Sequence, residues 1–178
     1  MSLYDHSDAV RHALLTEARK RFMVADDQAA VIETVRQTAR NICKSDGITF
    51  VLRDGDQCHY VEEDAIGPLW KGQKFPLSAC ISGWAMLNAK TAVIEDVFAD
   101  PRIPYDAYLP TFVKSLIMTP VGEKHVAAMG AYWKDVRGHG GKFRRHGWRD
   151  AVGVVGAIGA VLLRLSSPLV GEGTKSCT

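Results

Sequence analysis

With 178 residues the chain is long enough to bury about 70% of the surface its unfolded form exposes, so a domain with its own core needs no disulfide staple. Its 47% apolar and 24% charged residues are ordinary for a globular protein, and a net charge of +2 is too small to mark a general polyanion binder, which sets nucleic acid aside as a partner. Cys43, Cys58, Cys80 and Cys177 stand at no metal-site spacing and no paired histidines accompany them, so reduced thiols in a cytoplasmic chain are expected rather than a zinc site.

The N-terminus carries Asp5, His6, Asp8, Arg11 and His12 in place of a basic patch followed by an apolar run, so no secretory signal is read there. Residues 8–22 place Val10, Leu14, Ala18 and Phe22 four apart. Residues 27–44 place Val31, Val35, Ala39 and Cys43 likewise, with Ile32 and Ile42 widening the stripe; both segments read as amphipathic helices. Gly47, after Ser45 and Asp46, is expected to close the second helix in the left-handed conformation. The β-branched run 48–53 predicts a strand, Asp54-Gly55 a type I′ hairpin turn, and 57–62 its antiparallel return. A third strand is expected over 70–77, then Ser78 capping a helix over 79–88, then a short strand over 91–94.

Residues 96–110 hold Pro101, Pro104 and Pro110 with Asp100 and Asp106, a composition that forbids a long helix and favours a surface loop of the kind that often carries function. Strands over 115–121 and 125–133 make a second hairpin through Gly122, Glu123 and Lys124, and a last helix is predicted over 143–165. Its apolar run 151–163 is shorter than the ~20 residues of a membrane span and is bracketed by Arg149, Asp150 and Arg164, so a packed helix and no membrane association are expected. Gly153, Gly156 and Gly159 each weaken that helix by up to ~1 kcal/mol in isolation. Close packing offsets this, and Val152, Val155, Ile158 and Leu162 supply a stripe for it; a homodimer through the N- and C-terminal helices is the expectation. The basic run from Lys142 to Arg149, with His139 and His146, reads as a solvated face or a contact for an acidic partner.

The sum is an α+β fold, a central antiparallel sheet of five to six strands flanked by N- and C-terminal helices. The organisation expected is an N-terminal helix over 1–26, the domain proper over 27–165 and a flexible tail over 166–178. For chemistry, Trp70, Trp84, Tyr105, Tyr108 and Phe112 can wall a small-molecule cavity, with Ser78, Ser82, Asp96 and Asp100 as orienting groups; the two aspartates serve equally well as turn caps. Cys80 falls at the start of a predicted helix, where unpaired N–H groups stabilise a thiolate, and it reads otherwise as a small buried hydrophobe.

Gly83-Trp84-Ala85, Ile94-Glu95-Asp96-Val97, Asp100-Pro101-Arg102 and Gly130-Ala131-Tyr132-Trp133 occur in the order and setting in which the chain resembles a GAF domain, the sensory module often found ahead of bacterial histidine kinases. The resemblance covers roughly residues 27–165. It implies a ligand pocket between the sheet and its cross-connecting loops, and places Cys80, Trp84, Asp96, Tyr105, Tyr108, Phe112 and Met118 near it. It further implies a non-catalytic domain that binds a small ligand and signals through its terminal helices, in two-component or related signalling, with a kinase as a candidate partner.

Two alternatives stand beside this expectation. The free methionine-(R)-sulfoxide reductase is an enzyme of the same fold that works through pocket cysteines, but here Ser82 stands in the glycine-rich turn and 96–110 holds no cysteine, which leaves Cys80 and Cys58. A ligand-free dimerisation module is the other. Bilin-binding relatives carry a Cys-His pair on a helix, whereas Cys58-His59 falls on a predicted strand, and His59 and His125 read as lone strand histidines, solvent-exposed or hydrogen-bonded, rather than haem ligands. No cofactor is expected beyond an unidentified small ligand.

Overall fold

The computed structural model describes residues 3–122 and 125–136. In chain order these form α1 (Leu3–Val24), α2 (Gln28–Cys43), β1 (Gly47–Asp54), β2 (Gln57–Ala65), β3 (Lys74–Pro76), a 3-10 turn (Leu77–Ala79), α3 (Ile81–Asn88), β4 (Ala92–Ile94), the single turn α4 (Tyr105–Tyr108), β5 (Ser115–Val121) and β6 (Ala127–Trp133). The expected helix over 143–165, its glycines, the basic run before it and the tail lie outside the described residues. Among the described residues no helix is long and apolar enough to cross a membrane.

The six strands form one antiparallel sheet in the order β3-β2-β1-β6-β5-β4. Two hairpins, β1-β2 and β5-β6, are zipped together by β1 and β6, from Gly47 opposite Tyr132 to Leu52 opposite Ala127. Because side chains alternate across a strand, β6 feeds both faces. Its Ala127, Met129, Ala131 and Trp133 meet α1 and α2, while Ala128 and Tyr132 point to the opposite side. On the helical face Phe22, Val31, Val35 and Ile42 close over Ile48, Phe50, Ile117 and Met129. On the other face α3 lies against β5 and β6, and the chain between β4 and β5 folds over what α3 leaves uncovered.

Several local expectations are corrected. Asp27 caps α2, its carboxylate accepting from the Ala30 N–H at 2.7 Å. The helix is closed, however, by Lys44 at φ 48°, whose N–H donates to the Arg40 and Asn41 carbonyls, and not by Gly47. Gly47 opens β1, where a Cβ would stand 2.9 Å from Phe112 Cζ and 3.0 Å from Ala65 Cβ; the glycine serves a close approach rather than a turn. The first hairpin turns one residue later than expected. Asp54 pairs with Gln57 across a Gly55-Asp56 loop, and only Gly55, at φ +59°, is left-handed.

The stretch expected as a third strand over 70–77 is reduced to Lys74–Pro76. The cause is Glu63, whose carboxylate accepts from the backbone N–H groups of Leu69, Trp70 and Lys71 at 3.2, 2.9 and 2.9 Å. Three charge-assisted hydrogen bonds hold the 66–73 connection in a curl and lay Trp70 over the sheet. Ser78 is likewise displaced from its expected capping role. Leu77 is buried and the chain winds a 3-10 turn before α3, so Cys80 becomes the residue that caps α3, with no side-chain capping bond. Gly83 permits this packing, since a Cβ there would fall 1.9 Å from the Leu77 carbonyl oxygen.

Candidate functional site

The alternation of β2 turns Cys58 and Tyr60 to the same inward face, where both are buried. The first turn of α3 lies directly over them. Tyr60 Oη and Ser82 Oγ are 3.0 Å apart, and Ser82 Oγ is 3.2 Å from Cys80 Sγ. As a thiol, Cys80 donates to the Pro76 carbonyl at 3.5 Å. The Cys58 thiol hydrogen-bonds toward Cys80 and interacts with the same Ser82 hydroxyl, so two thiols and two hydroxyls share one polar knot in an otherwise apolar core.

The knot polarises its members. The hydrogen bond from Cys58 lowers the Cys80 thiol to about 6, helped by the Ser82 hydroxyl and by the Gly83 and Ser82 backbone N–H groups at the start of α3, against the opposing effect of burial. Cys58 moves the other way, because it serves as the donor to Cys80 and because it is buried. Burial pushes the Tyr60 and Tyr108 hydroxyls well up, and a negative Cys80 adds to the push. All three of Tyr60, Tyr108 and Tyr132 therefore stay neutral beside Cys80.

Cys80 is also where the interior opens. An inner cleft of about 80 Å³ is walled by Tyr60, Trp70, Phe75, Ile81 and Tyr108 and reaches Cys80, with Pro104 and Ala107 of the long connection as its roof. Beside it lies an outer cleft of about 360 Å³ that shares Trp70, Phe75 and Ala107 and adds Pro68, Leu69, Gln73, Pro110 and Thr111. The aromatic walls brace one another: Trp70 lies 4.9 Å from Tyr108 and 5.7 Å from both Tyr60 and Tyr132, and Tyr60 lies 5.5 Å from Phe75, ring centre to ring centre. Tyr132 is anchored from below by a 2.8 Å hydrogen bond to Thr49, and its hydroxyl occupies space that a Cβ on Gly130 would need.

Of the residues singled out in the sequence, the structure brings Cys80, Ser82 and Tyr108 together, with Trp70 beside them. Trp84 sits half-buried under the Arg102 guanidinium, 4.8 Å from the ring centre. Asp100 holds that same arginine at 2.6 and 2.9 Å and accepts its backbone N–H at 3.0 Å, and Asp96 accepts the Phe98 N–H at 2.9 Å, so both aspartates act as turn caps. Tyr105 is 53% exposed, its ring 5.2 Å from that of Phe98. Phe112 is half-buried beside Gly47, and Met118 is buried against Gly130. None of these six lines either cleft. The lining residues that sequence reasoning passed over include Tyr60, Phe75 and Ile81 of the inner cleft and Leu69, Gln73 and Thr111 of the outer; the signal for Tyr60 was present, since period-two alternation from Cys58 puts it on the same face.

No protein-family model matches the chain, and no curated protein matches its sequence. Solved structures do. The GAF domain of a phosphoenolpyruvate-protein phosphotransferase from Coxiella burnetii superposes with a TM-score of 0.71 at 10% identity, covering 86% of this chain and 93% of that one. The corresponding GAF domain from Acinetobacter gives 0.69 at 12% identity, covering 87% and 94%. The free methionine-R-sulfoxide reductase of Neisseria meningitidis gives 0.68 at 17% identity, covering 88% and 89%. Identities this low speak to architecture alone, and the architecture is unambiguous: the chain has the fold of a GAF domain.

Proposed function

We propose that the protein is a non-catalytic sensory domain that takes a small, largely apolar ligand into the adjoining clefts and passes its occupancy to the terminal helices. The observation that carries this reading is that the two clefts lie side by side and share Trp70, Phe75 and Ala107 as common walls. The inner space of about 80 Å³ is well below the ~300 Å³ at which pockets begin to accept whole drug-sized molecules, whereas the outer space of about 360 Å³ lies within that range. A ligand therefore rests its body in the outer cleft and extends one small group toward Cys80.

Among the described residues lining either cleft there is no Lys or Arg, which disfavours a phosphate-bearing ligand, and Gln73 and Thr111 offer neutral hydrogen bonds. Small aromatic acids and amino acids fit this description better than cyclic nucleotides. Exposed Val10 and Leu14 on α1, with Met23 and Val24 at its end, give the N-terminal helix an apolar surface suited to a second copy, and we assign the homodimer contact and the output to a kinase or related partner to that end of the molecule. The setting is cytoplasmic signalling of the two-component kind.

Thermal melting of the full chain against tyrosine, phenylacetate and cyclic AMP, paired with native mass spectrometry, tests the reading. A rise in Tm with one of the first two that disappears in Trp70→Ala supports it. Equal Tm with all three and a bare mass for the purified protein favour the ligand-free dimerisation module instead.

A further inference from the structure

We propose that Cys80 and Cys58 form a two-thiol reaction site for small hydroperoxides, in which Cys80 is oxidised first and Cys58 resolves it to an intramolecular disulfide. Access sets the order. Cys80 borders the inner cleft and is partly exposed, whereas Cys58 is fully buried behind it on β2. A small molecule entering past Tyr108 and Phe75 meets one sulfur and not the other. The walls are aromatic and uncharged, which admits hydrogen peroxide or a small organic hydroperoxide and disfavours a charged oxidant.

The groups around Cys80 complete the chemistry. Cys58 and Cys80 pack in the same core cluster, with the Ser82 hydroxyl 3.2 Å from the Cys80 sulfur and in turn 3.0 Å from Tyr60, which shares the inward face of β2 with Cys58. The Cys80 thiolate attacks the terminal oxygen of ROOH and a sulfur–oxygen bond forms. The O–O bond breaks, and ROH leaves after taking up one proton from water, giving Cys80–SOH. The Cys58 sulfur then attacks the Cys80 sulfur, an S–S bond forms, and the S–O bond breaks with hydroxide leaving as water on the proton that Cys58 gives up. The two thiols lose two electrons in total and the hydroperoxide gains them. Because Cys58 and Cys80 join β2 to the start of α3, the disulfide ties the floor of the cleft to its wall, and oxidation becomes a second input to the same site.

Cys43 is the internal control, since it is buried on the far side of the sheet among the α1 and α2 contacts. The test treats the full chain with hydrogen peroxide and with cumene hydroperoxide, followed by intact mass and non-reducing peptide mapping. The expected result is the loss of two hydrogens and one linked pair, Cys58 with Cys80, with Cys43 remaining a reduced thiol. Cys58→Ala should stop at a sulfenic acid that dimedone labels at Cys80, and Cys80→Ser should give neither product.

Alkylation of the unmodified chain by iodoacetamide provides a readout independent of any variant's folding. With the Cys80 thiol lowered to about 6, its rate should be half-maximal near that pH and, at pH 6, roughly tenfold above that of free cysteine once the weaker nucleophilicity of an acidic thiolate is allowed for. A disulfide from Cys80 to Cys43 or Cys177, or oxidation no faster than in the urea-unfolded chain, overturns the proposal. A bridge that forms with oxidised glutathione but with neither hydroperoxide overturns the assignment of substrate and makes the pair a thiol–disulfide exchange site.

Discussion

On the α1/α2 face of the sheet, Phe22, Ile42, Phe50 and Met129 interlock as hydrocarbon, and the buried hydroxyl of Thr34 is returned to its own helix at the Ala30 carbonyl, 2.8 Å away. On the α3 face, Tyr60, Ser82, Cys58 and Tyr132 bury polar atoms beside Trp70 and Ile81. A buried polar group costs free energy unless it is paired, so the second face is stable only in one arrangement of partners, while the first tolerates any packing that fills it. The sheet thus separates the side that supplies stability from the side that holds a defined geometry, and both described clefts open on the latter.

That separation can be broken most severely from the hydrocarbon side. Phe50→Ala removes a fully buried ring and should cost about 3–5 kcal/mol by urea unfolding. Iodoacetamide labelling of Cys80 in the remaining folded protein should be unchanged; altered labelling would show that the two faces are not independent. Glu63→Ala comes next. It leaves three backbone N–H groups without their carboxylate, should cost about 2 kcal/mol, and should shift the Trp70 contribution to fluorescence while α1 and α2 keep their helical signal.

Tyr60→Phe sharpens the comparison within the polar knot, since it deletes only the hydroxyl facing Ser82 and should cost about 1 kcal/mol. A cost near zero would mean that Ser82 is satisfied by Cys80 and Cys58 alone. The polar knot also predicts a pH dependence. Cys80 is lowered from 9.0 to about 6 by folding, so its stabilisation is present in full above pH 9 and is lost as pH falls through 6. Cys58, raised by folding, behaves oppositely: its contribution is present below pH 9, where the unfolded chain keeps it protonated, and fades in more alkaline solution. The stability difference between the unmodified chain and Cys80→Ser should therefore widen from pH 6 to pH 9, and a flat difference would place the thiol outside the knot.

Much of the fold was legible because it depends on patterns a few residues long. The stripe Val31, Val35, Ala39 became the buried side of α2, and β5 has the bounds that its β-branched and apolar run implies, Ser115–Val121. The site was less legible. Asp96 and Asp100 have the composition of ligand-orienting groups, yet their oxygens go to local N–H groups and to Arg102, a choice made by loop geometry. Trp84 has the look of a pocket wall and faces Arg102 instead, because the 3-10 turn before α3 sets how that helix is rotated on the sheet.

The order of helices and strands, the antiparallel α+β class and the inward face of α2 were determined by the sequence itself, since hydrophobic spacing is a local property that burial must satisfy; on α1 only Ala18 and Phe22 of the spaced stripe are buried, and Val10 and Leu14 are exposed. What lies across from each inward face was decided only by the tertiary structure. Tyr60 and Ser82 are 22 positions apart and meet because Gly83 lets α3 press onto the Leu77 turn, and Glu63 reaches six to eight residues forward to curl Trp70 over them. Such contacts depend on register and close backbone approach, which side-chain periodicity does not encode, and the joining of Cys58 to Cys80 at the mouth of the cleft is their consequence.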